Sequence, residues 1–97
     1  MNFRKDEGFK LLVKAFLALE TEKECADFLE DIMTRKEMMD IAQRLLVAKK
    51  LSEQAVYNKI VDETGASTAT ISRVNRSYNY GSGGYAKILD KIKEEKK

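Results

Sequence analysis

The sequence predicts an all-α fold of six helices, and two observations lead to this prediction. Apolar residues recur at three- and four-residue spacing along most of the chain, which is the period of one helix face. The 97 residues include no proline, the residue that most strongly disrupts a helix interior. We find no stretch with the alternating pattern of a β-strand. The six predicted helices follow in chain order.

Three helices are predicted in the front half of the chain. The first carries a single apolar stripe between Phe9 and Leu19. Thr21 and Thr34 each precede a glutamate by three residues, the spacing of a capping box, so the second and third helices begin there. The residues expected to face inward on the third helix are Met38, Ile41, Ala42, Leu45, Leu46, Ala48 and Leu51.

Three further helices are predicted in the back half. A short helix covers residues 57–64 and ends at Gly65, the residue type that favours a left-handed C-terminal turn. Ser67 is placed to cap the next helix. The glycine-rich residues 79–84 break the pattern, and a last helix covers about residues 85–93.

We expect these helices to form one domain, residues 1–97, because so short a chain has no room for a second core. Residues 1–55 would supply the core and dimerisation helices, and residues 56–78 a helix-turn-helix. Residues 79–97 would supply the glycine-rich turn and the C-terminal helix. The apolar faces of the first three helices are large for so short a chain to cover, so we expect a homodimer.

Composition argues against several classes of protein. The chain has no histidine, which removes the commonest general base and a common metal ligand, so we expect no enzyme, cofactor or metal site. The single cysteine, Cys25, has no partner for an internal disulfide. No apolar run is long enough for a membrane helix, and the N-terminus lacks the apolar segment of a signal peptide. We therefore expect a cytoplasmic protein with no membrane partner.

The helix-turn-helix expectation rests on residues 57–78. Ile60, Ile71 and Val74 lie where the two short helices must pack against each other. Arg73 and Arg76 are the only charged residues between positions 66 and 80, and a surface without acids suits contact with phosphate. The residues left on the outer, N-terminal side of the second helix are Ser67, Thr68, Ala69, Thr70, Ser72 and Arg73.

Residues 65–73, Gly-Ala-Ser-Thr-Ala-Thr-Ile-Ser-Arg, resemble the reading head of the Trp repressor family. Residues 41–45, 57–60 and 79–81 extend the resemblance to its YerC/YecD branch, and the likeness covers about residues 16–89. It implies a six-helix fold that forms an intertwined dimer. The two reading heads of such a dimer enter successive major grooves of DNA, a docking for which the Trp repressor is itself a standard example.

The resemblance implies DNA contacts for a set of residues carried over by position. They are Asn58, Ala66, Ser67, Thr68, Ala69, Thr70, Ser72 and Arg73. Residues 68–70 would face base edges, whereas Ser72 and Asn58 would contact the backbone or nearby bases. Residues 66 and 67 would offer main-chain N–H groups to phosphate. Arg73 would contact phosphate or a base, or would clamp one helix to another.

The resemblance also implies a candidate effector pocket formed by Arg44, Arg73 and Ser77. Arg73 and Ser77 match the arginine that stacks on the indole of tryptophan and the serine that receives its amino group. The second stacking arginine falls on either Gln43 or Arg44. Val74 stands where the family's pocket has glycine, so we expect tryptophan not to bind. Whether another small molecule is sensed stays open.

These observations predict a sequence-specific transcription regulator that represses by binding double-stranded DNA as a homodimer. The alternative is an all-α protein-interaction module without DNA binding, in which the acidic run at residues 20–31 forms the partner surface. Val56 departs from the family pattern, because a capping threonine is common at that position.

Overall fold

The computed structural model describes residues 2–95, which contain six α-helices, a short 3-10 turn at Phe3–Lys5 and no strand. The helices are α1 (Glu7–Ala18), α2 (Glu22–Ile32), α3 (Arg35–Ser52), α4 (Tyr57–Thr64), α5 (Thr68–Tyr80) and α6 (Gly84–Glu95). This confirms the all-α, six-helix prediction. The chain divides into two compact units, Met1–Met38 and Met39–Lys97.

The first unit contains α1, α2 and the first residues of α3. The hydroxyl of Thr21 caps α2 by accepting a hydrogen bond of 3.1 Å from the Glu24 N–H. Phe16 of α1 and Phe28 of α2 pack edge to face with ring centroids 5.6 Å apart. None of the residues of α1 or α2 is fully buried within the chain.

A reciprocal capping box begins α3, as the sequence predicts. The Glu37 N–H donates to the Thr34 hydroxyl at 3.1 Å, and the Thr34 N–H donates to the Glu37 carboxylate at 2.9 Å. The backbone hydrogen bond from Thr34, together with a side-chain hydrogen bond from the same residue, lowers the pKa of Glu37 below its ordinary value.

The second unit is built around a small apolar core directly beneath the helix-turn-helix. Its buried residues come from α3, α4, α5 and the turn between the last two: Val47, Ala48, Ile60, Ala66, Ile71 and Val74. Tyr85 and Leu89 of α6 pack against this cluster while partly buried. The predicted inner contact between Ile60 and the two apolar residues of α5 is therefore confirmed.

The predicted inward face of α3 is wrong in part. Ile41, Leu45 and Leu46 keep 47%, 38% and 42% of their surfaces exposed, whereas Val47, which the pattern did not single out, is fully buried. Within the second unit the core collects on the side of α3 that carries Val47 and Ala48. The other apolar side of the helix is left uncovered.

The helix α5 also runs further than expected. It continues to Tyr80, so residues 79 and 80, predicted to lie in the glycine-rich turn, are helical. The Asn79 amide donates to both the carbonyl and the side-chain oxygen of Asn75, which supports the last turn of the helix. The helix ends at Gly81.

Candidate nucleic-acid interface

The turn between α4 and α5 is closed by a compact set of hydrogen bonds. Gly65 adopts a left-handed conformation with φ of 74°, and its N–H donates to the Val61 carbonyl at 2.9 Å. The Thr64 hydroxyl donates to the Ile60 carbonyl at 2.6 Å and accepts from the Ala66 N–H at 3.1 Å. These hydrogen bonds between neighbouring residues therefore set the direction in which α5 leaves α4.

Two contacts from α3 hold the end of α4, where this turn begins. The Gln43 amide donates to the carbonyl of Thr64 at 3.2 Å, satisfying one of the free carbonyls at the end of α4. The Lys50 ammonium lies 3.5 Å from the Glu63 carboxylate, and the lysine side chain is only 20% exposed. Because α3 also supplies part of the core, it positions both the turn and the start of α5.

The N-terminus of α5 is capped by Ser67, as predicted. Its hydroxyl oxygen accepts a hydrogen bond from the Thr70 N–H, and the hydroxyl donates to the Thr70 hydroxyl, each at 3.1 Å. The N–H groups in the first turn of a helix have no intrahelical partner, and Ser67 takes up that of Thr70. Those of Thr68 and Ala69 stay available to a ligand beside the positive end of the helix dipole.

Most of the residues expected to contact DNA lie on the surface of the second unit. Thr70 is half-buried, and the exposed members of the set are Asn58, Ser67, Thr68, Ala69, Ser72 and Arg73. The structure thus brings an uncharged tip of hydroxyl and methyl groups together at the start of α5, with Arg73 one turn further along. Asn58 lies in the first turn of α4.

Ala66 differs from the other predicted contacts. Its surface is only 2% exposed, and its N–H already donates to the Thr64 hydroxyl. A phosphate contact through this amide would have to share or replace that bond.

The N-cap of α4 has no side-chain capping hydrogen bond, because the residue there is Val56.

A cavity of about 420 Å³ lies beside the first two turns of α5, between α3, α5 and α6. Its lining residues are Asp40, Gln43, Arg44, Thr70, Arg73, Val74, Ser77 and Tyr85. The three candidate effector residues are therefore brought together, and we call this space the α3–α5 cavity. Both Gln43 and Arg44 reach it, but Gln43 is already bonded to the turn. Sequence reasoning missed Tyr85, because nothing local to α6 indicates that it faces α3.

A second, more apolar groove of about 690 Å³ lies within the same unit and is called here the α3–α6 groove. Its apolar lining comes from Ala42, Leu45, Leu46, Tyr78, Leu89 and Ile92. Charged residues of both helices, including Lys49 and Asp90, lie around it. The groove contains the side of α3 that the core leaves uncovered.

Within residues 2–95, cysteine and acidic side chains form no group that could hold a metal ion. None of the described helices is both long and apolar enough to cross a membrane.

The sequence is similar to known proteins over most of its length. A family model described as Trp repressor protein matches residues 7–93. The uncharacterised protein YerC of Bacillus subtilis is 49% identical over 83 residues, which cover 86% of this chain and 80% of YerC.

Two solved structures are similar to this chain in both fold and sequence. The crystal structure of a TrpR-like protein from Eubacterium eligens superposes with a TM-score of 0.90 at 44% identity, covering 95% of each chain. A crystal structure from Staphylococcus aureus, provisionally assigned as a Trp repressor, gives 0.88 at 41% identity, covering 96% of this chain and 95% of its own. The chain described here therefore belongs to the Trp repressor family, in the branch that includes YerC.

Proposed function

We propose that the protein is a sequence-specific transcription repressor that inserts the start of α5 into the major groove of DNA and acts as a homodimer. The observation that carries this proposal is the exposed, uncharged tip of α5, which follows a turn held by hydrogen bonds from Gln43 and Thr64. Membership of the Trp repressor family supports the same conclusion.

The tip is suited to close approach to bases. Thr68, Ala69 and Thr70 carry short side chains, so the helix can enter the groove without steric obstruction. Hydroxyl groups pair with more than one base and an alanine methyl favours the thymine methyl, so direct bonding alone discriminates weakly. Bridging water and the deformability of the duplex would then supply part of the specificity.

The flanking residues are suited to fix the orientation of the protein on the DNA backbone. The main chain at Ser67 presents the positive end of the helix dipole to phosphate. Ser72 and Asn58 are exposed polar groups on α5 and α4, and Arg73 supplies a guanidinium for phosphate or base. The Ala66 N–H would join them only by exchanging its bond to Thr64.

Homodimer formation is part of the proposal, and the uncovered apolar residues support it. In the first unit Leu17 is 80% exposed, and in the second unit the α3–α6 groove exposes Leu45 and Leu46. Large apolar patches on a small protein mark interaction surfaces. We assign dimerisation to residues 1–55, with a second copy of the chain covering these faces.

The α3–α5 cavity is the candidate effector site of this regulator, with Arg44, Arg73 and Ser77 as its polar groups. Val74 contributes a branched side chain to the lining, and we expect it to exclude the flat ring of tryptophan. Calorimetric titration of the protein with each amino acid tests this expectation, and a saturable tryptophan signal would contradict it.

Selection from a pool of random duplexes tests DNA recognition directly. We expect enrichment of a palindrome whose half-sites lie about one helical turn, roughly 34 Å, apart. Affinity for the selected duplex should fall steeply with added salt, because phosphate contacts release counterions. A pool without any enriched palindrome would refute the proposal.

A paired substitution separates DNA binding from a role in protein interaction. Thr70→Ala combined with Arg73→Ala should abolish binding to the selected duplex while circular dichroism reports an unchanged fold. Lys91→Ala, which removes an exposed cation from α6, is the control and should bind normally. If the selected duplex binds the double variant as tightly as the unmodified protein, the reading head is not the DNA-binding surface.

A further inference from the structure

The outer face of α5 continues beyond the reading head as a stripe of exposed residues. Ala69, Arg73, Arg76 and Tyr80 follow one another at spacings of four, three and four, which keeps them on one side of a helix. All four are exposed, and Tyr80 keeps 86% of its surface accessible. The proposed DNA contacts described above use only the first half of this stripe.

The second half of the stripe is electrostatically suited to an anion. The sequence contains no acid between Glu63 and Asp90, and Arg76 forms no ion pair within residues 2–95. The hydrogen bonds between Asn79 and Asn75 hold the last turn of α5 in helical form. Tyr80 therefore lies on a regular helix, and its phenol belongs to the same face as the two guanidinium groups.

Helix geometry gives the depth at which these groups would meet DNA. A helix rises about 1.5 Å per residue, so Arg76 lies about 10 Å and Tyr80 about 16 Å beyond Ala69 along the axis. The major groove is about 8.5 Å deep. With Ala69 at the base edges and α5 entering by its N-terminus, Arg76 would reach the level of the phosphate backbone. The Cα of Tyr80 would lie above that level, and its long side chain would reach back toward the phosphates because helical side chains tilt toward the N-terminus.

We propose that Arg76 and Tyr80 bind the DNA backbone at the edge of the groove entered by the reading head. The Arg76 guanidinium donates hydrogen bonds to one phosphate from a charged group, and the Tyr80 hydroxyl donates a hydrogen bond to phosphate from an uncharged group. The occupant of this surface is duplex DNA, because its charge complements a stripe without acids. The inference rests on the proposed function, since it requires α5 to lie in the groove.

The experiment compares the salt dependence of binding to the selected duplex. Arg76→Gln should reduce the slope of log K against log salt by about 0.9 for each protomer on the DNA, whereas Arg76→Lys should keep the slope. Tyr80→Phe should weaken binding several-fold on every sequence while leaving the slope unchanged, because the lost group is uncharged. Lys91→Gln removes the same charge from α6 and is the control, with an unchanged slope expected.

The outcomes distinguish this inference from the function on which it rests. If the unmodified protein binds no duplex, the proposed function fails and this inference fails with it. If the unmodified protein binds while Arg76→Gln and Tyr80→Phe keep its affinity and slope, only the inference is overturned. A change in the molar mass of the Arg76→Gln protein in light scattering, with an unchanged salt slope, would assign the stripe to a protein interface and also overturn it.

Discussion

At the scale of single residues, two glycines are required for different physical reasons. Gly65 has a positive φ of 74°, and a Cβ there would meet nothing within 4 Å, so the constraint is purely conformational. Gly81 has an ordinary φ, but a Cβ there would collide with the Ser77 carbonyl. One glycine directs the turn before α5, and the other allows the chain to leave the helix.

Gly65→Ala should lower the free energy of unfolding by about 1 kcal/mol, because a left-handed conformation is costly for a residue with a Cβ. Gly65→Asn should cost less, since asparagine tolerates this conformation better. Urea denaturation followed by circular dichroism measures both values. Equal losses for the two variants would show that something other than the backbone conformation determines the cost.

The contribution of Glu37 to stability should depend on pH in the acidic range. Hydrogen bonds from Thr34 lower the folded-state pKa of Glu37, so the carboxylate form is favoured by folding. The added stability is present above the unfolded-state pKa and is lost as pH falls through the folded-state pKa. The difference in unfolding free energy between the unmodified protein and Glu37→Gln should therefore shrink on acidification.

An NMR titration of the Glu37 carboxyl group gives a second measurement of this effect. In Thr34→Val, which keeps the shape of the side chain but lacks the hydroxyl, the pKa of Glu37 should move only part of the way back toward its ordinary value, because the backbone N–H of residue 34 still donates to the carboxylate. A difference between the unmodified protein and Glu37→Gln that does not change with pH would contradict the assignment.

At the scale of helices, α3 organises the second unit. It supplies Val47 and Ala48 to the core, and its Gln43 and Lys50 contact the end of α4, next to the turn that leads to α5. The same helix lines the α3–α5 cavity and the α3–α6 groove. The position of the α4–α5 turn and of the start of α5 therefore depends on contacts made by a helix outside the helix-turn-helix.

Gln43→Met should loosen the turn, because methionine has a similar length but cannot donate a hydrogen bond to the Thr64 carbonyl. A net hydrogen bond contributes about 1 kcal/mol, so amide exchange at Gly65 and Ala66 should accelerate about fivefold. Affinity for the selected duplex should fall by a similar factor. Both changes should occur without loss of the helical circular dichroism signal.

Arg44→Met is the matched control for this prediction. Arg44 is the next residue of α3 and lines the same cavity, but it forms no hydrogen bond to the turn within residues 2–95. Its substitution should leave the exchange of both amides unchanged. Equal acceleration in the two variants would show that the Gln43 hydrogen bond does not hold the turn.

At the scale of the whole molecule, exposed apolar surface is the dominant feature of both units. None of the residues of α1 or α2 is fully buried, and the α3–α6 groove leaves leucine side chains accessible to water. Burial of apolar surface contributes about 25 cal/mol per Å². If the chain forms the proposed homodimer, a second copy would add to its stability by covering these faces.

Leu45→Lys combined with Leu46→Lys should convert the proposed homodimer into a monomer, because two charges would have to be desolvated in the apolar groove. Light scattering should give a molar mass twice the chain mass of 11.1 kDa for the unmodified protein and 11.1 kDa for the variant. The thermal midpoint of the unmodified protein should also rise with concentration. Val56→Lys, at an exposed valine outside the groove, should remain dimeric.

The sequence by itself determined the features that depend on neighbouring residues. The capping residues Thr21, Thr34 and Ser67 and the left-handed turn at Gly65 follow from side-chain and backbone chemistry within a few positions. The six helices follow from the same local signals. The likeness to the Trp repressor family was readable for the same reason, since it lies in a continuous run of residues.

The tertiary structure alone decided which apolar side of α3 is buried and how Gln43 and Arg44 differ in role. It also placed Tyr85 at the α3–α5 cavity, and it engaged the Ala66 N–H in the turn. The reason is physical. A helical pattern shows which residues are apolar, but the burial of each one depends on packing between residues far apart in the chain.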